Sequence, residues 1–421
     1  FCPLAGCAPG TQGGGSCSGR EMVRGLPGAR VLVMCLLALL LVVSCGGGPE
    51  VSREEMAPLI QTDGAAFSDL HLSSEILEDL AFHRVVVLGE THRLREHWEF
   101  LATLAEDLHR WGFRRVLIEA PHMAEWLYDD YVQGGVLAPD YEPPKFYEDR
   151  LAGIREVNEG LEPSERIRVR AIDVNEEHHG GGQAFRNVLG SLVQILGDAG
   201  PVEAFTSTPA GSPEEQRESI KRLSASLRSE SSTLSEEWGP EWFAYVEEMV
   251  EVEQASIDIR EYRQSDDDRA ARAREKEIKE LVESRLSHDE GSTIINVGAH
   301  HAQKSALMGT DQEGLGDYLV HRSETADGSV FIIGFTSAET VLEPGAPGSP
   351  FDIALSSPED ELLRLMAETW PGLNVYLPLD DPLFSEKRVA YNSEDKIYAV
   401  QLADVFDALF QYGMSHRMAD S

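Results

Sequence analysis

Apolar positions along the chain follow two spacings in turn, and these predict strands and helices. Short runs rich in β-branched residues, bounded by glycine or charge, are typical of strands buried on both faces of a parallel sheet. Such runs predict strands at 85–89, 115–119, 167–172, 293–297 and 330–335. Between them apolar residues recur at helical spacing, as in 95–111. The repeated strand–helix order predicts an α/β fold, with a mostly parallel sheet flanked by helices.

One long stretch, 200–288, contains no strand signal and interrupts this rhythm. Its charged segments at 213–235, 240–262 and 265–286 predict a helical insertion before a late core strand. The α/β domain is therefore expected in two parts, 63–199 and 289–421. Within the second part, weak strands are predicted near 373–377 and 396–400, with a terminal helix near 403–412.

The N-terminal region has the pattern of an export signal. Residues 1–21 look like translated upstream sequence, and Met22 is the expected start. Two arginines then precede an uncharged apolar run at 31–43, which is short for a membrane span. The run ends at Ser44-Cys45 and resembles the lipobox of bacterial lipoproteins, although an uncleaved anchor is the alternative. The resemblance implies a signal peptide in 1–44, lipidation of Cys45, a tether at 45–62, and an exported protein of the cell envelope, facing the periplasm or the cell surface.

Composition narrows the classes of function. A chain of 421 residues that is 42% hydrophobic can bury a sizeable core, and a net charge of −37 argues against nucleic acid as a partner. All five cysteines lie at or before Cys45. The folded part therefore has no thiol for a disulfide, a zinc–thiolate site or a cysteine nucleophile. The sequence also lacks a P-loop, a Rossmann glycine fingerprint, an HExxH helix and a G-x-S-x-G elbow.

Polar side chains follow four of the predicted strands, at the point where each strand ends. They are Glu90 and His92, Glu119, Asp173, and His300 and His301. In open α/β sheets, ligands bind just beyond the carboxyl ends of the strands. We therefore expect Glu90, His92 and Glu119 to converge from two adjacent strand ends, with one of the late histidines.

These residue types are compatible with three alternative roles for the predicted site. A histidine tuned by carboxylates is a good general base for activating water, with Glu90 or Glu119 orienting it and a second histidine or an arginine stabilising an oxyanion. Alternatively, Glu90, His92, Glu119 and His301 could bind a divalent metal through nitrogen and oxygen ligands. In the third alternative the acids are structural and the protein is catalytically inactive.

Three short motifs resemble one superfamily, which joins erythromycin-esterase-like hydrolases, ChaN-like haem-binding lipoproteins and TraB/Tiki-like proteins. The motifs are GETH at 89–92, Ile118-Glu119, and VGAHH at 297–301. ChaN-like members have a G-E-x-H turn and a later histidine, which Glu90, His92 and His97 match. Esterase-like members have a turn one residue longer, so the shorter turn favours a ChaN-like or unassigned activity over macrolide hydrolysis.

The late motif also resembles the superfamily. His301 matches the histidine after the late strand, and Gly298 stands where esterase-like members have a second histidine. Arg269 or Arg272 is the candidate for an arginine that esterase-like members carry in the preceding helix. The segment 404–409 resembles their C-terminal "FDAL" helix.

The resemblance implies an exported, lipid-anchored hydrolase in which Glu90, His92, Glu119 and His301 are catalytic. The alternative is a ChaN-like haem- or metal-binding lipoprotein without catalysis, in which His97, Asp173 and His300 would contact the cofactor. The cofactor is accordingly a divalent metal, a haem or none. The expected partners are a membrane, through the N-terminal lipid, and a small-molecule substrate or haem.

Overall fold

A computed structural model describes residues 50–135, 145–175, 181–197, 200–288, 291–307, 310–342, 361–393 and 396–418. The signal segment and Cys45 lie outside these ranges. The strands are β1 (Ala65–Phe67), β2 (Val85–Glu90), β3 (Phe113–Pro121), β4 (Arg168–Asp173), β5 (Ser292–Gly298), β6 (Val330–Ser337), β7 (Thr340–Leu342), β8 (Asn374–Pro378), β9 (Val389–Ser393), β10 (Lys396–Val400), β11 (Ala408–Tyr412) and β12 (Ser415–Arg417). The helices are α1 (Arg53–Asp63), α2 (Ser74–Ala81), α3 (Arg95–His109), α4 (Glu125–Val132), α5 (Lys145–Glu159), α6 (Gly181–Leu196), α7 (Gly200–Thr206), α8 (Pro213–Ser229), α9 (Ser231–Trp238), α10 (Pro240–Arg263), α11 (Asp267–His288), α12 (Leu315–His321), α13 (Glu361–Thr369) and α14 (Pro382–Glu386).

Eight strands form one sheet in the order β1-β8-β11-β6-β2-β5-β3-β4. Every neighbouring pair from β11 to β4 is parallel, whereas β8 runs antiparallel to both β11 and β1. Two small sheets, β9 with β10 and β7 with β12, stand apart from it. The predicted α/β fold with a mostly parallel, helix-flanked sheet is confirmed.

Strand β2 explains why the central strands read as continuous apolar runs. All six of its residues are buried. Val86 and Leu88 belong to one hydrophobic cluster, whereas Val85 and Val87 belong to another. Successive side chains of a strand point to opposite faces, so helices must cover both faces of this sheet.

The segment 200–288 is helical throughout, as predicted, but its helices divide between the two clusters. Apolar residues of α8, α9 and α10 join the cluster that contains Val86. Ile278 and Val282 of α11 join the other cluster. Helix α11 is therefore part of the α/β core rather than of an added cap. Within the described ranges, no helix is both long enough and apolar enough to cross a membrane.

The tether predicted at 45–62 is wrong where the structure describes it. Helix α1 occupies Arg53–Asp63, and Met56 and Ile60 bury their side chains in the second cluster. Ser52 and Glu55 form a reciprocal capping box at its N-terminus. The helix gives a weak periodic signal because it buries only these two residues and contains Pro58.

The terminal helix predicted near 403–412 is also wrong. Only Leu402–Asp404 forms a short 3-10 turn, and Ala408–Tyr412 is strand β11. This strand lies inside the sheet between β8 and β6, and all five of its residues are buried. A short apolar run buried on both faces cannot be distinguished from a helix by periodicity alone.

Candidate functional site

The carboxyl ends of β2, β5, β3 and β4 lie side by side, and the candidate site is built on them. Strand β5 separates β2 from β3, so the prediction that Glu90 and Glu119 follow adjacent strands is wrong. The register places Glu90 beside Gly298 of β5. Strand order is set by how the connections cross the sheet, and β5 reaches this position only after the helical segment 200–288.

Glu90 and His92 form a hydrogen-bonded pair at the end of β2. The Nδ1 of His92 lies 2.7 Å from Oε1 of Glu90, and the side chain of His92 is 59% exposed. Burial lowers the pKa of His92, but the hydrogen bond and negative charge of Glu90, with the charge of Glu119, raise it on balance. Burial raises the pKa of Glu90, yet its bond to His92 and the charge of that ring hold the pKa at about 2. Glu90 is therefore an anion that can only accept, and His92 donates from Nδ1.

The ring of His92 lies against Gly298. A Cβ at that position would stand 2.9 Å from both Cε1 and Nε2 of His92 and 3.4 Å from Oε2 of Glu119. Such a contact is shorter than van der Waals separation, so a side chain at 298 would displace the His92 ring. Glycine at 298 therefore leaves room for the ring of His92.

Arg274, from α11, joins the carboxylates of β3 and β4. Its Nε and Nη2 donate to the two oxygens of Asp173, each at 2.8 Å, and Nη2 also donates to Oε1 of Glu119. The second oxygen of Glu119 accepts from the Gly298 N–H at 2.7 Å. Burial raises the pKa of Glu119, but the charges of His301, Arg274 and His92 lower it well below its usual range.

His301 is held as a cation beside this cluster. Its Nδ1 lies 2.5 Å from Oε2 of Glu275, which is also on α11, and its Nε2 lies 3.7 Å from Oε1 of Glu119. Burial lowers the pKa of His301, but the charges of Glu275 and Glu119 raise it to about 9. This pKa favours the protonated ring at neutral pH, and Nη1 of Arg274 lies 3.4 Å from Nε2.

The structure separates the predicted cofactor contacts from one another. His97 is fully buried, with Nε2 2.6 Å from Oδ1 of Asn296, so it cannot contact a bound cofactor. Both oxygens of Asp173 are bound by Arg274. His300 is half-buried beside His301, with ring centroids 6.3 Å apart, and its ring is turned by 82°.

Four residues of the site were missed by sequence reasoning: Arg274, Glu275, Asn296 and Tyr412. The predicted arginines are wrong, because Arg269 stacks on Tyr262 and Arg272 is exposed. A signal for Arg274 did exist, since it lies four residues from both buried Ala270 and buried Ile278. A charge on the apolar stripe of a helix indicates a buried ionic partner.

The described side chains do not form a metal site. Arg274 already lies between Asp173 and Glu119, where a cation would have to displace it. Within the described ranges, no group of three or more His, Cys, Asp or Glu side chains is arranged to hold a metal ion. The alternative role of Glu90, His92, Glu119 and His301 as metal ligands is therefore not supported.

Comparison with solved structures shows the same fold. A Bacillus cereus protein superposes with a TM-score of 0.61 at 16% identity, covering 88% of this chain and 100% of its own. A mutant of the erythromycin esterase EreC in its open conformation superposes with a TM-score of 0.56 at 16% identity, covering 82% of this chain and 94% of its own. The chain has the fold of an erythromycin esterase.

Two further comparisons limit what can be inferred about function from this shared fold. A succinoglycan biosynthesis protein shares the fold equally, with a TM-score of 0.58 at 12% identity, covering 88% of this chain and 99% of its own. ChaN of Campylobacter jejuni, with cofacial haem, superposes with a TM-score of only 0.29 at 12% identity, covering 66% of this chain and 92% of its own. This TM-score is too low to bear on haem binding. No protein-family model and no curated protein matches the sequence.

Proposed function

We propose that the protein is a hydrolase that cleaves an ester-type bond with water activated by His92. The observation that carries the proposal is the 2.7 Å bond between Glu90 and Nδ1 of an exposed His92. A buried carboxylate at Nδ1 leaves Nε2 as the basic nitrogen and stabilises the imidazolium that forms when it takes a proton. The fold shared with an erythromycin esterase supports a hydrolase.

His301 supplies the complementary acid. In the proposed reaction, the water oxygen bonds to the acyl carbon while its proton passes to Nε2 of His92. The carbon–oxygen bond of the ester then breaks, and the leaving alkoxide takes the Nε2 proton of His301. Arg274 and the protonated ring of His301 favour the negative charge that develops on the acyl oxygen. In this scheme His92 takes a proton and His301 gives one up, which is the division of roles in acid–base catalysis.

Hydrolysis of a panel of aryl esters, alkyl esters and lactones tests the proposal. We expect His92→Ala to lower kcat/KM by roughly a hundredfold to ten-thousandfold, the usual contribution of a general base. His71→Ala is the matched control, because His71 is 60% exposed and also bonds a carboxylate, Asp107, away from the site. Activity should survive dialysis against a chelator.

Two outcomes would contradict the proposal. One is a wild-type protein that turns over no member of the panel, and the other is equal turnover by wild type and His92→Ala. A Soret band on titration with haem, lost in His92→Ala, would favour the binding alternative instead.

We also propose that the chain is exported and lipidated at Cys45, on the strength of the apolar run at 31–43 and the cysteine that follows it. Mass spectrometry of the N-terminal peptide from the membrane fraction should find a diacylated Cys45. Cys45→Ser should move the protein out of that fraction, and an unmodified cysteine in membrane-bound protein would contradict lipidation.

A further inference from the structure

A line of four hydrogen bonds runs from the core of the protein to the exposed ring of His92. Tyr412 of β11 bonds Nδ1 of His97 at 3.2 Å, and Nε2 of His97 bonds Oδ1 of Asn296 at 2.6 Å. Asn296 Nδ2 donates to Oε2 of Glu90 at 3.0 Å, and Oε1 of Glu90 accepts from His92 at 2.7 Å. Tyr412 and His97 are 0% exposed, Asn296 is 1% and Glu90 is 5%.

The direction of every bond in this line follows from the charge of Glu90. An ionised carboxylate only accepts, so Asn296 must turn its amide nitrogen towards Glu90. Its oxygen then faces His97, which must donate from Nε2. A neutral imidazole with its proton on Nε2 accepts at Nδ1, so the hydroxyl of Tyr412 is the donor there. Burial lowers the pKa of His97, which keeps this ring neutral.

Reversal of the line is costly because its members are buried. Turning the amide of Asn296 would bring its oxygen against the Glu90 carboxylate and leave a buried nitrogen facing the N–H of His97. An unmade hydrogen bond at a buried polar group costs about 1–3 kcal/mol, and more for a charged group. Only one set of donors and acceptors along these four hydrogen bonds is therefore stable, and in that set His92 donates from Nδ1.

We propose that His97, acting through Asn296 and anchored by Tyr412, is a positioning residue that fixes His92 with its proton on Nδ1 and its basic Nε2 towards the substrate. The inference rests on the proposed function, in which His92 is the base. Asn296 occupies one oxygen of Glu90 and so leaves the other aimed at His92. A group that orients the partner of a catalytic histidine selects its tautomer without contacting the substrate.

The imidazole nitrogen chemical shifts of isotope-labelled histidines test the inference, because they report which ring nitrogen carries the proton. His92→Asn identifies the His92 signals by difference. In wild type above the His92 pKa, we expect a single Nδ1–H tautomer at His92 and a single Nε2–H tautomer at His97. Asn296→Leu should give His92 a mixture of the two tautomers and lower kcat roughly tenfold to a hundredfold, with KM little changed.

The controls separate positioning from folding. Thr293→Val changes a buried hydroxyl of the same strand that has no hydrogen-bond partner among the described residues, and it should alter neither tautomer. Tyr412→Phe keeps the stacking on Phe335 but removes the hydroxyl. His97 should keep its proton on Nε2 in this variant, because Asn296 sets that tautomer, and this test holds even if Asn296→Leu fails to fold.

The proposal is overturned if His92 keeps a single Nδ1–H tautomer in folded Asn296→Leu, or if the His97 proton moves to Nδ1 in Tyr412→Phe. These results do not depend on turnover. Wild-type protein with the expected tautomers but no hydrolysis would count against the proposed function and leave the positioning intact.

Discussion

His92 and His301 have different neighbours, and these neighbours shift the two pKa values to different extents. His92 faces solvent and bonds one carboxylate, whereas His301 is enclosed by Glu275 and Glu119. Both pKa values are raised, and that of His301 reaches about 9. A base must be neutral and an acid must be protonated, so this pair works only between the two pKa values.

We therefore expect a bell-shaped pH profile of kcat/KM. Activity should fall as the pH drops through the raised pKa of His92, because protonation removes the base. It should also fall as the pH rises through about 9, because His301 loses its proton. Glu275→Gln removes the largest cause that raises the pKa of His301, so it should move the alkaline limb to lower pH. An alkaline limb unchanged by Glu275→Gln would exclude His301 as the acid.

Gly298→Ala tests the position of the His92 ring. The added Cβ would meet Cε1 and Nε2 of that ring at 2.9 Å, so the ring must shift. We expect a loss of kcat of roughly a hundredfold, as for a base moved by about one ångström, with little change in the melting temperature. Gly291→Ala is the control, since its Cβ would meet only a backbone oxygen at 3.5 Å. Equal activity in both variants would argue against this placement of His92.

At the scale of elements, the turn that carries His92 is held by strand β12. Leu94 makes an isolated bridge with Arg417, and the N–H of Met418 donates to the carbonyl of Arg93 at 2.9 Å. Arg93 has a φ of 72°, which is an uncommon conformation for a residue with a side chain. His416 binds Glu96 of α3 through both its backbone N–H and its ring, at 2.7 and 2.5 Å.

His416→Ala should therefore loosen the turn without unfolding the protein. We expect a loss of about 1 kcal/mol of stability for one partly exposed hydrogen bond, but a fall in kcat of roughly tenfold or more. His109→Ala removes a ring bond at the opposite end of α3 and serves as the control. Unchanged kcat in His416→Ala, with faster amide exchange confined to β12, would show that the turn keeps its conformation without support from β12.

The elements also explain how much of the site could be predicted. Glu90, Glu119, Asp173 and His301 were predictable because each lies at or near the carboxyl end of a strand, and strand ends can be read from local sequence. Glu275 and Arg274 come from a helix whose approach to the sheet depends on tertiary packing. Tyr412 could not be predicted as a site residue, because the apolar run of β11 has no periodicity that distinguishes a strand from a helix.

For the whole molecule, the fold class could be predicted because strands buried on both faces leave apolar runs along the chain. Strand order could not, since it depends on which connection crosses the sheet, as the insertion of β5 between β2 and β3 shows. The helical nature of 200–288 was evident from sequence. Its division between the two faces follows from contacts of α11 that no local pattern records.

Buried carboxylates should make the whole protein sensitive to acid. The pKa values of Glu90 and Glu248 are held at about 2, below the ordinary value of 4.5, and that of Glu119 is also lowered. Stability from such groups is fully present above the unfolded value and is lost as the pH falls through the folded value. We expect the free energy of unfolding to fall steeply between pH 4.5 and about 2.

Denaturant titrations across this pH range measure the effect. Glu90→Gln should flatten the dependence by about 1.4 kcal/mol for each unit of pKa difference that it removes. Glu218→Gln, at a residue that is 63% exposed on α8, should leave the slope unchanged. A wild-type stability that stays level down to pH 3 would contradict this account.

The support that β12 gives to the His92 turn has a consequence for biosynthesis. Glu96 and His416 are 320 residues apart in the chain, so the ribosome completes the turn long before it makes the strand that clamps it. Contacts between such distant segments form last, because they must wait for the intervening chain. We therefore expect hydrolytic activity to appear only when residues 415–418 have been synthesised, and nascent or clipped chains to stay inert.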